Sequence, residues 1–313
     1  MIKLGVVGLG PRWERYYAPA IRALANRVQL VTVYDSVHAR ALLEARDWAC
    51  HPSESLQGVL QYPGLQAILL LDHDWYELWP CELASRAGKL TLLDSPATYT
   101  HEQLIRLSSV VKESDGLVMT AFPKRHHPLT VRLRELLATR LGPLHSLQIE
   151  FTTSHEEMPE ELLAVIDWST SVVRAFPREI LQRPSGSGLP TGQRAQGPES
   201  SRNWTLGFGS GETSVNVKLN WCCGQPQEHP FDWVIQADCQ LGQAYIDVQT
   251  LKWRLESESW QTEALMPEKT SEEMLLDLVC RRVLGGIVPI TDLNDVLRGR
   301  DWQRIALGNR LET

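Results

Sequence analysis

Gly8-Leu9-Gly10 follows the apolar run Ile2-Val7 and leads into a segment with helical spacing. Glycines in that setting allow a tight turn and let the backbone approach a pyrophosphate at a helix N-terminus. Asp35 ends the second apolar run. A carboxylate there accepts hydrogen bonds from ribose hydroxyls and repels a 2′-phosphate, which favours NAD over NADP. The third position of the glycine pattern holds Trp13, preceded by Pro11-Arg12; a ring there keeps the helix from packing on the strand as closely as glycine would. Arg12 could grip phosphate or stay solvated. Further along, Lys124, Arg125, His126 and His127 form a basic cluster after the sixth apolar run. Such a cluster could hold an anionic ligand, or simply open a polar helix ahead of Pro128. His73 and Asp94 could pair as a base if they meet. The run His155 to Glu161 lacks the paired histidines of a zinc helix, and reads as an acidic helix start.

These groups need elements to hold them. From residue 2 to about 121, short apolar runs at 2–7, 28–34, 67–71, 90–94 and 117–121 alternate with amphipathic segments at 15–26, 37–47, 76–87 and 101–113, and a very short strand fits near Ala49. That alternation predicts a parallel sheet with crossover helices, a Rossmann-like unit over 1–122. After a helix at 129–139 the pattern turns β-rich, with strands expected at 144–153, 203–208, 213–221, 233–239 and 243–247. This predicts a second, α+β domain over 123–313, built on an open, largely antiparallel sheet. It carries a hairpin turn at 207–212, a long loop at about 184–201 and closing helices at 271–284 and 292–309.

The bulk numbers exclude several classes. The chain has 313 residues and a net charge of -7, with 43% hydrophobic residues. No basic excess is available for nucleic acid or anionic lipid. No apolar run approaches the roughly 18 residues of a membrane span, and no signal-peptide pattern precedes Ile2, so a cytoplasmic protein is expected. Six cysteines without a CxxC read as reduced thiols rather than a zinc site or disulfide frame.

The order of Gly8-Leu9-Gly10, Ala18-Pro19-Ala20, Val33-Tyr34-Asp35, Ala87-Gly88-Lys89, Leu93-Asp94-Ser95-Pro96 and Phe122-Pro123-Lys124-Arg125 with Pro128, followed by 285–309, resembles the glucose-fructose oxidoreductase/inositol dehydrogenase (Gfo/Idh/MocA) family over nearly the whole chain. The resemblance implies NAD(P)-dependent oxidation of a sugar or polyol-like molecule. It also implies a sheet-mediated homodimer or tetramer, with no nucleic acid or membrane partner. Cofactor contacts would fall on Gly8, Leu9, Gly10, Arg12, Asp35, Asp72, Ser95 and Pro96, and substrate contacts on Lys124, Arg125, Asp167 and Ser171. The catalytic groups do not carry over, however. The family's Glu-Lys-Pro is Asp94-Ser95-Pro96, and its Asp-x-Gly-x-His-x-x-Asp is Asp167-Trp168-Ser169-Thr170-Ser171-Val172-Val173-Arg174. Serine at 171 cannot take a hydroxyl proton unaided, and losing the lysine removes a charge that would stabilise an alkoxide. Lys124, His73 and Asp94 are the candidate substitutes. The alternative is a silent nucleotide- or sugar-binding protein, or the partner of an active paralogue. Among the 11 tryptophans, Trp13 and Trp168 are expected to fill part of the crevice, unless they are ordinary core.

Overall fold

The computed structural model describes residues 1–71, 76–183, 201–209, 214–225, 231–248, 250–264, 269–288 and 291–308. Two compact units emerge, one from Met1–Pro123 with Lys269–Arg298, the other from Lys124–Glu268 with Gly299–Thr313. The single continuous second domain expected over 123–313 is therefore corrected, because the chain returns to the first unit after residue 268.

In the first unit, strands β1 (Ile2–Val7), β2 (Val28–Tyr34), β3 (His51–Pro52), β4 (Ala67–Leu70), β5 (Leu90–Leu93) and β6 (Leu117–Thr120) form a parallel sheet in the order β3-β2-β1-β4-β5-β6. β4 and β5 are buried along their whole length, as a parallel sheet covered on both faces requires. Their runs, aliphatic apart from Thr91, are what make them legible as strands. The crossovers are α1 (Ala18–Ala23), α2 (His38–Trp48), α3 (Leu56–Leu60), α4 (Trp79–Arg86) and α5 (His101–Ser114). α3 is too short for a helical period to show in the sequence, and Ser55 caps it by accepting from the Gly58 N–H. α5 opens on a capping box between Thr100 and Gln103.

The segment ahead of α1 departs from a regular helix. Trp13–Tyr17 forms a π turn. Trp13, where a glycine would let helix and strand approach, is fully buried, with its ring 5.5 Å from that of Trp48 on α2. Its indole N–H donates to Glu44 at 3.0 Å, and Trp48 donates to the same carboxylate at 3.1 Å. Trp13 is thus core.

In the second unit, β7 (Leu144–Thr153), β8 (Glu179–Arg183), β9 (Ser201–Phe208), β10 (Val215–Cys223), β11 (Val234–Cys239), β12 (Gly242–Asp247), β13 (Thr250–Leu255) and β14 (Gln261–Ala264) form a sheet in the order β14-β13-β12-β11-β7-β10-β9-β8. Only the β7–β10 pairing is parallel. β8, β13 and β14 were not expected: their runs are short and carry charged or amide side chains at alternate positions. The hairpin between β9 and β10 is present, with Phe208 opposite Val215, although its tip and the loop 184–200 lie outside the described residues.

Alternation decides which face is core. Leu147, Ile149 and Phe151 of β7 and Val217, Leu219 and Trp221 of β10 are buried, while their neighbours remain partly exposed. Against that inner face lie residues of α7 (Pro128–Leu136), which follows the single turn α6 (Pro123–His126), and of α8 (Met158–Val173). Trp168 of α8 is buried in this core, edge-on to Trp233 at 6.0 Å, with its N–H on the Thr130 hydroxyl at 2.9 Å. Both tryptophans expected to fill a crevice are thus built into the cores of their own units.

The chain then returns. α9 (Ser271–Val283) contributes Leu275, Leu276, Val279 and Cys280 to the hydrophobic core of the first unit, and Asp277 is ion-paired with Arg27 and with Arg281, the latter at 2.8 Å. α10 (Leu293–Ala306) begins in the first unit and ends in the second.

Candidate functional site

The phosphate turn in the first unit is built as the glycines require. Gly8 has φ +91°, a conformation that side chains disfavour, and its N–H donates to the Tyr34 carbonyl at 2.9 Å. Gly8, Leu9 and Gly10 are buried, and the helix begins at Pro11. Proline at the first helical position has no N–H of its own to offer an anion.

Asp35 is buried at the end of β2 and is already well partnered. Its carboxylate accepts from the Leu9 N–H at 2.8 Å and the Val37 N–H at 2.8 Å, and meets Arg40 at 3.3 Å. The acid therefore braces the phosphate turn as well as marking the strand end. Sequence reading missed Arg40, five residues beyond Asp35, a place where a guanidinium can accept a 2′-phosphate. Beside it the Tyr34 and Tyr76 hydroxyls hydrogen-bond, and burial, followed by that bond, pushes the Tyr34 hydroxyl up to about 12. The geometry fits a dinucleotide turn. When bound, such a cofactor would supply hydride chemistry.

Asp94, at the end of β5, is buried and does not stand free. It pairs with the Arg12 guanidinium (3.0 Å to Nη2), accepts from the Tyr17 hydroxyl at 2.9 Å and from the Ser95 hydroxyl at 3.3 Å. Arg12 is thus neutralised by Asp94 rather than held open for phosphate. Ser95 sits in the left-handed region at φ +47°, ahead of a short turn that starts at Pro96. Burial, then the nearby Asp94, raises the Tyr17 hydroxyl; burial raises Glu272, with Asp94 adding to it and Arg12 opposing. His73 and Asp72 lie outside the described residues.

In the second unit the basic cluster is paired in the same way. Lys124 contacts Glu161, meets Asp232 at 2.8 Å and lies 4.2 Å from the centre of the Trp233 ring. Burial pulls its pKa down, but the two carboxylates more than offset this and leave it raised. A lysine so held is an ammonium at neutral pH and does not accept a proton. Glu161 also takes the Trp233 indole N–H at 2.5 Å. The acidic run seen in the sequence therefore supplies a counter-ion, while Glu157 accepts from the Thr153 and Ser154 hydroxyls at 3.0 and 2.9 Å.

Arg125 grips Asp167 with two parallel bonds of 2.5 and 2.6 Å, and both side chains are largely buried. One turn along α8, Ser171 accepts from Arg134 at 2.6 Å and donates to the Trp168 carbonyl at 2.6 Å. Arg134 was not singled out in the sequence, and no spacing rule brings it to Ser171. Burial first, then Arg125 and Arg174, lowers its pKa, against an opposing pull from Asp167. His126 is held at about 4 by burial, Arg125 and Arg134. An unfolded histidine titrates near 6.5. Between these values the unfolded chain binds the proton and the folded chain does not, so stability falls as pH drops from about 6.5 to about 4 and is level below, by up to about 3 kcal/mol. Urea unfolding across that range is expected to show the fall in the parent and to lack it in His126→Gln.

A parallel sheet in this strand order, with a glycine turn after β1 and an acid closing β2, defines a dinucleotide-binding Rossmann protein. Residues 2–122 match the family described as the oxidoreductase family with an NAD-binding Rossmann fold. Over that segment, 2–122, the chain carries the NAD-binding Rossmann domain of the Gfo/Idh/MocA family. No curated protein sequence matches it.

Similar solved structures include the UDP-N-acetylglucosamine 3-dehydrogenase of Acidithiobacillus ferrooxidans, at 18% identity and TM-score 0.73, covering 99% of this chain and 97% of that one. A 3-ketoreductase from Actinomadura kijaniata, in complex with NADP and TDP-benzene, gives 16% and 0.71 over 98% and 97%. Biliverdin reductase from Synechocystis, in complex with biliverdin and NADP+, gives 14% and 0.72 over 98% of each chain. At such identities the likeness is one of fold.

Proposed function

We propose that this chain binds a nicotinamide nucleotide through its first unit but does not oxidise alcohols by the lysine and histidine chemistry of its family. On this reading it is a ligand-binding protein, or the non-catalytic partner of an active paralogue. One observation carries the proposal: Lys124, Ser171 and Asp94, the described residues best placed by the family resemblance to move a hydroxyl proton, are committed elsewhere. Lys124 is held by Glu161 and Asp232, Ser171 by Arg134, and Asp94 by Arg12 and Tyr17. Asp35 favours NAD, while Arg40 beside it leaves room for a 2′-phosphate. NADH and NADPH are therefore titrated separately against tryptophan fluorescence, and sugars and polyols are offered with NAD+ and NADP+. Binding without turnover supports the reading. Oxidation of any polyol, or no binding of either nucleotide at millimolar concentration, overturns it.

The open face of the eight-stranded sheet is proposed as the self-association surface of a dimer or tetramer; a monomer in sedimentation at micromolar concentration would exclude that.

The double variant Ser95→Lys/Ser171→His is expected to stay inactive. A histidine at 171 would stand beside Arg134 and near Arg125, the two cations that already depress His126, and so would be a poor base. Measurable polyol oxidation by the variant contradicts this.

A further inference from the structure

We infer that the second unit carries a binding site for an organic carboxylate with an apolar body, in a cleft lined by Arg134 and Arg174. The inference deepens the ligand-binding reading above by naming a ligand class, and it rests on side chains of the second unit alone. The cleft holds about 500 Å³, within the range of small-molecule sites. Its described lining includes Arg134, Arg174 and His145 but no carboxylate, and Leu144, Val172 and Val215 supply apolar wall.

The two arginines are left without acidic partners. Arg134 spends Nη2 on the Ser171 hydroxyl, a neutral acceptor, and its buried Nε finds none among the described residues. A buried guanidinium nitrogen without an acceptor is costly, and an anion beside the partly buried Arg134 would offset that cost. Burial and the neighbouring Arg125 and Arg174 already work against its charge. Arg174 takes the left-handed conformation at the end of α8, with φ +61°, and has no carboxylate partner among the described residues. Asp167, the nearest acid in this group, is consumed by Arg125 in the two-bond pair. Two planar guanidiniums facing one cleft suit the two oxygens of a carboxylate, and the walls favour a ligand that also buries hydrocarbon.

Calorimetric titration of the full chain with 4-phenylbutyrate, acetate, inorganic phosphate and the uncharged 4-phenylbutyramide tests this. Phenylbutyrate is expected to bind at least tenfold more tightly than acetate or phosphate, and the amide not to bind measurably. Arg174→Gln, at an exposed position, and Arg134→Lys, which keeps the charge but loses the planar fork, are each expected to weaken phenylbutyrate at least tenfold. Equal binding of acid and amide, phosphate matching phenylbutyrate, or full affinity in Arg174→Gln overturns the inference. NADH titration of the parent protein separates this from the nucleotide reading. Loss of NADH binding with carboxylate binding intact sinks only the nucleotide proposal, and the converse result sinks only this one.

Discussion

Replacing Arg125 with methionine is expected to destabilise the protein by about 3–5 kcal/mol, the cost of leaving a buried charge without its partner. The stranded group is Asp167, of which 5% of the side chain is exposed, against 16% for Arg125. The same principle predicts that Arg125→Met/Asp167→Leu regains most of the loss, since two apolar side chains owe nothing to water. Arg125→Lys keeps the charge but surrenders the two-bond fork, and should fall between the two. Urea denaturation of the four proteins at pH 7 settles the order. If the double variant is no better than Arg125→Met, the pair is not the origin of the loss. Arg125 also helps to hold His126 near 4, so the fall in stability toward acid pH should be shallower in Arg125→Met than in the parent.

Lys124→Met is the second large effect. The ammonium balances Glu161 and Asp232, whose side chains are 22% and 15% exposed, and it rests on the Trp233 ring. Without it two carboxylates face each other with one indole donor between them. A loss of about 3 kcal/mol is expected, because water reaches the acids only in part. Lys124→Met/Glu161→Gln should recover a substantial share, since it removes the like-charge repulsion while an amide oxygen can still take the Trp233 N–H. Thermal unfolding followed by tryptophan emission reads both. A neutral Lys124→Met would mean the lysine is free after all, which would restore it as a candidate proton-transfer group.

The Rossmann half was legible because each of its signals is local. Largely aliphatic runs such as Ile68 to Leu70 and Leu90 to Leu93 are strands by composition, the glycine turn follows the first of them, and even the two-residue strand at His51 was anticipated near Ala49. In the other half, β7 shows clean alternation and was found with its exact ends, whereas β13 and β14 do not. Their charged and amide residues conceal the pattern. For Trp13 the sequence leaves crevice and core both open, since a residue type says nothing about which way a ring turns; Trp48 and Glu44 decide that from the next helix.

The site was half visible. That serines stand at 95 and 171, where the family resemblance implies a lysine and a histidine, is read directly from the sequence. What neutralises the candidate substitutes is not, because the partners are distant in sequence: Arg12 and Asp94 are 82 residues apart, and Lys124 and Glu161 are 37 apart. Charge pairing at such range is a property of the fold.

The return of α9 bears on what can be inherited or exchanged. Leu275, Leu276, Val279 and Cys280 complete the core of a domain that the chain had left about 150 positions earlier. A gene fragment ending at codon 122, where the family match stops, would encode a sheet with a bare hydrocarbon flank and an Arg27 deprived of Asp277. Such a fragment should be recovered in inclusion bodies, whereas joining residues 1–123 to 269–298 through a short glycine-rich linker should yield soluble, cooperatively melting protein. If the shorter piece proves equally soluble, α9 is dispensable cladding. If not, a single crossover cannot transplant the nucleotide half into a new context, and descent must have carried both halves together.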